Sequence, residues 1–190
     1  VNADGTVSVV AATSASTGSK SAFNSLTSSF FASVFDSSNN KHIIVYRSQN
    51  NGMRCIVATV ASNGSVSYGT DAQVNNQDCQ KIKACFDSTN NRIVVIFSYG
   101  GDSNQGYAIV GSLSGTTVSW GSIKEFYNGG AADKSISFDS TAGKVVVAYG
   151  GASNYGTARV GTVSNLSISF GTSVVYNSQI TRDNRAIYDS

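Results

Sequence analysis

A chain of 190 residues with 41% hydrophobic content carries enough apolar mass to bury one sizeable core. Its 13 Lys and Arg against 11 Asp and Glu leave a net charge of +2 without runs, which argues against a basic face for nucleic acid or for membrane surfaces. Only 13% of residues are charged, and Ser, Thr, Asn and Gly take the polar positions, an exterior of the kind met in extracellular and virion proteins.

In chain order, the first stretch reads as the end of a β unit. Residues 4–8, Asp-Gly-Thr-Val-Ser, match residues 63–67, Asn-Gly-Ser-Val-Ser, so 1–13 form a partial unit. Residues 1–10 lack a basic stretch followed by an apolar one, so a signal peptide is expected to be absent or already removed. A protruding loop is predicted over 14–26, because Ser8 to Asp36 spans 28 residues where the equivalent steps elsewhere span 20. Three whole units follow at 29–76, 82–128 and 134–177, and a last partial one at 185–190. Two markers keep their period. An aromatic-Asp-Ser triplet carries Asp36, Asp87, Asp139 and Asp189, which are 51, 52 and 50 residues apart. A Ser-aromatic-Gly triplet recurs as Ser67-Tyr68-Gly69, Ser119-Trp120-Gly121 and Ser169-Phe170-Gly171, at steps of 52 and 50.

Each unit contains four β-rich runs between turn residues, designated A to D. They are predicted at 83–86, 92–97, 107–113 and 118–126 in the second unit and at 135–138, 144–149, 157–163 and 167–176 in the third. Between A and B stands an Asp that can cap its own turn, followed by Asn or Gly able to take positive φ, which predicts tight hairpins. Run B is apolar on both faces, as in Ile93-Val94-Val95-Ile96, and such a strand must be covered on both sides. Stacking one small sheet on the next supplies that cover. With no proline and no amphipathic helical stretch, the expectation is an all-β, β-propeller-like repeat of four-stranded antiparallel blades of about 51 residues each. In this register, residues equivalent to 38–59 are missing between the last unit and the first; adding these 22 would make four repeats of 53. The chain is therefore expected to be cut from a longer array or to be completed by a neighbouring chain, as a homo-oligomer or within a larger assembly.

The third unit combines Phe138-Asp139-Ser140-Thr141, a Val-rich strand B, Tyr155-Gly156-Thr157-Ala158 followed by Val160-Gly161-Thr162-Val163, and Ser169-Phe170-Gly171-Thr172. In these features it resembles repeats of virion structural and tail-fibre proteins of tailed phages, notably those of marine cyanobacteria. The first unit departs from the pattern, with Met53-Arg54-Cys55 where the third has Gly156-Thr157-Ala158. The resemblance implies a virion or surface-appendage protein and carries no catalytic residues over.

Groups for catalysis are scarce. His42 is the one histidine and stands where the other repeats have Ile93 and Val145, so packing is the expected role. Glu125 is the one glutamate, so an acid/base pair would need aspartates, and the repeating ones sit in turns. Calcium at these turns would require more carboxylates than any loop supplies, and no metal or cofactor is expected. Cys55, Cys79 and Cys85 are odd in number, which leaves at least one thiol unpaired; Cys79 and Cys85 could pair if the chain turned between them.

Positions that differ between units are the better candidates for function. In a propeller the B-to-C loops and the D-to-A connections share one face, which here would gather 47–52, 99–105 and 150–155 with 75–80, 128–133 and 177–183. Their amides, carboxylates and aromatic faces suit saccharides. The candidate ligand-binding residues are Arg47, Asn50, Tyr99, Asp102, Asn104, Asn128, Asp133, Asn154 and Tyr155. The expected role is a non-enzymatic structural or adhesion module on a virion or extracellular surface. Its partners would be a host glycan or receptor, or neighbouring subunits, without nucleic acid or membrane insertion. A secreted lectin-like propeller with shallow sugar sites is the alternative, and a glycan-active enzyme is disfavoured by the shortage of Glu and His.

Overall fold

The computed structural model describes residues 22–23, 27–50, 52–101 and 105–189. The partial unit at 1–13 and all but two residues of the loop at 14–26 lie outside the described residues. The described residues form three antiparallel sheets and no α-helix; a single 3₁₀ turn occupies Ala152–Asn154. The all-β, propeller-like expectation is thus met.

The first sheet comprises β1 (Ser28–Asp36), β2 (Lys41–Ser48), β3 (Met53–Val60), β4 (Val66–Tyr68) and β5 (Ala72–Asn75). The second has β6 (Cys79–Asp87), β7 (Arg92–Tyr99), β8 (Gly106–Ser114), β9 (Thr117–Trp120) and β10 (Lys124–Tyr127). The third has β11 (Ala132–Asp139), β12 (Lys144–Gly150), β13 (Tyr155–Ser164), β14 (Ser167–Phe170) and β15 (Val174–Ile180). In every sheet the last two strands pair with the same neighbour, so five segments fill four lanes. Strand D, expected as one run, is broken in two. The break falls at the second sequence marker, where the N–H groups of Gly69, Gly121 and Gly171 donate to the carbonyls of Val57, Val110 and Val160 at 2.8, 2.9 and 2.9 Å. Beyond each glycine the chain leaves the ladder and rejoins it at β5, β10 or β15.

The hairpins between the first two strands of each sheet form as their chemistry dictates. Asp87 Oδ1 accepts from the N–H groups of Thr89 and Asn90 at 3.0 and 2.9 Å, and Asp36 does the same for Ser38 and Asn39. The turns close through Asn40, Asn91 and Gly143 at φ of 52°, 53° and 63°, a region asparagine and glycine enter at little cost.

The core lies between sheets. Ile93, Val95 and Phe97 of β7 pack with Val34, Ile43, Val45 and Val57 of the first sheet. The alternate residues Val94 and Ile96 pack with Val145, Val147 and Tyr149 of the third. A strand apolar on both faces is covered on both, and the middle sheet contributes to both cores.

The opening strands meet one another, β1 against β6 and β6 against β11. Each carries a bulge that no motif announces. Register slips between Ser29 and Ala32, between Gln80 and Lys83, and between Ala132 and Ser135. At these bulges Phe30, Lys81 and Asp133 take φ of 52°, 52° and 44°. The strands consequently start earlier than predicted, at Cys79 and Ala132 rather than at 83 and 135. Residues 181–189 carry no strand, yet Asp183 repeats the feature at φ 53°. This segment runs beside β11: the N–H of Ala186 donates to Ser135 Oγ at 2.8 Å, and the Tyr176 hydroxyl donates to the buried Asn184.

Candidate functional site

Strand register decides which loops share an end. Ser28 faces Ser48, Arg47 faces Met53, and Met53 faces Asn75, so β1 begins, β2 ends, β3 begins and β5 ends at one extremity. The second and third sheets repeat this arrangement, with Cys79 opposite Tyr99 and Ala132 opposite Gly150. The loop face anticipated from the repeats exists, and the Asp-capped hairpins occupy the opposite end.

The candidate residues on that face separate into groups. Tyr99 packs its ring on Tyr107 at 4.6 Å, and its hydroxyl accepts from Asn75 Nδ2 at 3.1 Å. Asn128 accepts from Gln105 Nε2 at 2.7 Å, and Gln105 Oε1 accepts from the Tyr107 hydroxyl. Tyr99 and Asn128 thus belong to one aromatic and amide ridge together with Asn75, Gln105 and Tyr107. Tyr107 escaped the sequence reading because it lies inside a strand, where an aromatic reads as core.

Arg47 serves a different purpose. It pairs with Asp78 at 2.7 Å and stands over the Phe30 ring at 5.8 Å, tying the end of β2 to the start of β6. With both side chains partly exposed, the pair contributes on the order of 1 kcal/mol or less. Asn50 is exposed in the turn after β2. Tyr155 opens β13 and is about a third exposed. Asp102 and Asn104 lie outside the described residues. Asp133 and Asn154 come together in a cavity of about 150 Å³ with Ile180, Thr181 and Arg182.

A larger cavity, about 250 Å³, opens where the opening strands converge. Phe30, Lys81, Asp133 and Asp183 line it, one from each of four successive repeats and all from one repeat position with positive φ. Lys83, Lys134 and Arg185 complete the wall. Sequence reading selected Asp133 alone from this set. The position is occupied by Phe, Lys, Asp and Asp and its neighbours vary as widely, so it becomes visible only once the backbone marks it.

Lys134 is 2% exposed, and its Nζ donates to Ser98 Oγ across the interface of the second and third sheets. Burial pushes its pKa down to about 7; Lys81 and Lys83 push the same way, and Asp133 opposes them. The unfolded chain holds this proton up to about the usual lysine value, 10.5, and the folded chain only below about 7. Between those values the unfolded state binds more protons, so stability rises with pH across that window. Lys134→Met is expected to flatten that rise and to add about 2 kcal/mol at pH 7.5. Urea denaturation of both proteins between pH 6.5 and 9.5 measures this.

The remaining reactive groups are occupied by packing. His42 lies against Phe35 with ring centroids 5.0 Å apart. All three thiols are free. Cys79 and Cys85 stand six residues apart on the extended β6, about 20 Å along the strand, which excludes the pairing left open above. Burial pushes Cys55 up to about 11 and Cys79 up to about 12, and Cys85 higher still, so none is a thiolate at neutral pH. Among the described residues no three His, Cys, Asp or Glu side chains are grouped to hold a metal ion, and no helix is long and apolar enough to cross a membrane.

No protein-family model matches the chain, and no curated protein sequence matches it.

Proposed function

We propose that the chain is a non-enzymatic adhesion module of a virion or cell-surface appendage, binding host surface glycan through its loop face. One observation carries this reading: variation is concentrated at one end of the stack. The far end repeats the same Asp-capped hairpin, whereas equivalent loop-face positions present unlike aromatic, amide and charged groups. The ridge of Tyr99, Tyr107, Asn75, Gln105 and Asn128 offers aromatic rings beside amide donors and acceptors, which are what sugar rings and hydroxyls require. On a multivalent glycan array the chain is expected to give a selective signal that Tyr107→Ala and Asn128→Ala each reduce at least tenfold. An array blank for the wild-type chain sinks the glycan reading.

A second reading, assembly with neighbouring appendage subunits, is favoured by the third sheet. Val160, Val174, Val175 and Tyr176 are each about half exposed or more, an apolar surface of the kind that partner subunits cover. A native mass equal to one chain at tens of micromolar would count against self-assembly through this sheet.

A further inference from the structure

The cavity at the opening strands has a chemistry that the glycan reading does not use. Its wall carries four cations, Lys81, Lys83, Lys134 and Arg185, against two carboxylates, Asp133 and Asp183. That excess of two equals the net charge of the whole chain, so the remaining charges of the molecule balance. Among the described residues the ion pairs are Arg47 with Asp78 and Arg54 with Asp71, neither of them in this wall. The cations are therefore not neutralised by direct pairing with the two aspartates.

The backbone at the site is held at a cost. Four residues that are not glycine sit in the left-handed region at one repeat position, each at about 1 kcal/mol or more. Bulges of this kind re-aim a side chain, and here three of them bring Phe30, Lys81 and Asp133 to one cavity, where Asp183 of the following segment joins them. Lys134 adds an amine sunk between two sheets with a serine hydroxyl as its partner. A cavity of about 250 Å³ has room for one acidic group on a small body.

We propose that this cavity is an oxyanion site, taking a single carboxylate, sulfate or phosphate group at the point where four repeats meet. Lys83 and Arg185, both exposed and from one repeat position, supply solvent-facing donors in its wall, and Lys134 supplies a buried amine whose charge depends on pH. Asp133 and Asp183 limit the site to a single small anion and disfavour a polyanion. Proton uptake at Lys134, which faces Lys81 and Lys83 of β6, Asp133 of its own strand, and Asp183 and Arg185 of the following segment, couples occupancy to pH.

The test is calorimetric titration of the full chain at low ionic strength and pH 6.5. The probes are sodium sulfate, sodium phosphate and sodium glucuronate, with methyl glucoside as the neutral comparison. Saturable binding of at least one anion is expected, weakened tenfold or more by Lys83→Gln and by Arg185→Gln. Lys144→Gln, the same charge change at the hairpin end, is expected to leave it intact. Asp133→Asn is expected to tighten binding, since asparagine tolerates the left-handed backbone there. Affinity is expected to fall between pH 6 and 8.5, and Lys134→Met to remove that dependence. Preference for glucuronate over the inorganic ions identifies the source as an acidic sugar, and equal binding of all three identifies the oxyanion alone; both support the site. Absence of saturable binding, equal weakening by Lys144→Gln, or binding of methyl glucoside as tight as glucuronate overturns it. Tyr107→Ala is expected to leave anion binding unchanged, so the glycan reading and this one fail separately.

Discussion

Gly121→Ala is expected to lower stability by about 3 kcal/mol, and Gly171→Ala by less than about 0.5, although both glycines end the same Ser-aromatic-Gly marker. Neither glycine has a left-handed φ, so conformational freedom does not separate them. Space does. A Cβ on Gly121 would lie 1.8 Å from the carbonyl oxygen and 2.8 Å from the carbonyl carbon of Leu166, in the turn between β13 and β14 of the next sheet. Backbone atoms in a tight turn cannot withdraw by more than an ångström without breaking the turn or parting the sheets. A Cβ on Gly171 would find its nearest neighbour, Val160 O, at 3.8 Å. Gly69 falls between them, with Thr116 Cβ at 2.8 Å in the equivalent turn of the second sheet. The urea midpoints of the three alanine variants should therefore rank Gly121 lowest, Gly69 next and Gly171 near the parent. Equal midpoints would mean that successive sheets do not lock through these turns.

Val95→Ala and Ile96→Ala are each expected to be costly, by about 2 and about 3 kcal/mol, although the residues are adjacent on one strand. In a strand with one solvated face, neighbours alternate between core and water, and one of the two changes would be nearly neutral. Here Val95 sits among Ile43, Val45 and Val57, and Ile96 sits among Val145, Val147 and Tyr149, both with no accessible surface. Each truncation removes methyl groups from a different intersheet core and leaves a void that rigid sheets on either side cannot close. Val160→Ala, on a residue about half exposed, should cost less than about 0.5 kcal/mol and serves as the reference. Differential scanning calorimetry reads all three. A tolerated Val95 or Ile96 variant would show that β7 has one open face, and the stacking of three sheets would fall with it.

The amino-acid sequence by itself determined the unit, its period and the strand that must be buried twice, because each follows from short-range chemistry. Asp36, Asp87 and Asp139 specify a turn within three residues of themselves, and Ile93 to Ile96 declare two covered faces without reference to any partner. The loop face was legible for the same reason: once four antiparallel lanes are set, register places 47–52 and 75–80 at one end. The tertiary structure alone decided which of the marker glycines is indispensable, since Gly121 is required by the approach of Leu166, 45 residues on, whereas Gly171 has open space. It alone also decided the composition of the central cavity. Phe30, Lys81 and the aspartates Asp133 and Asp183 have no side-chain chemistry in common, and what they share is one repeat position with a left-handed backbone. These bulges leave no local signature, because the side chains at their position differ from unit to unit.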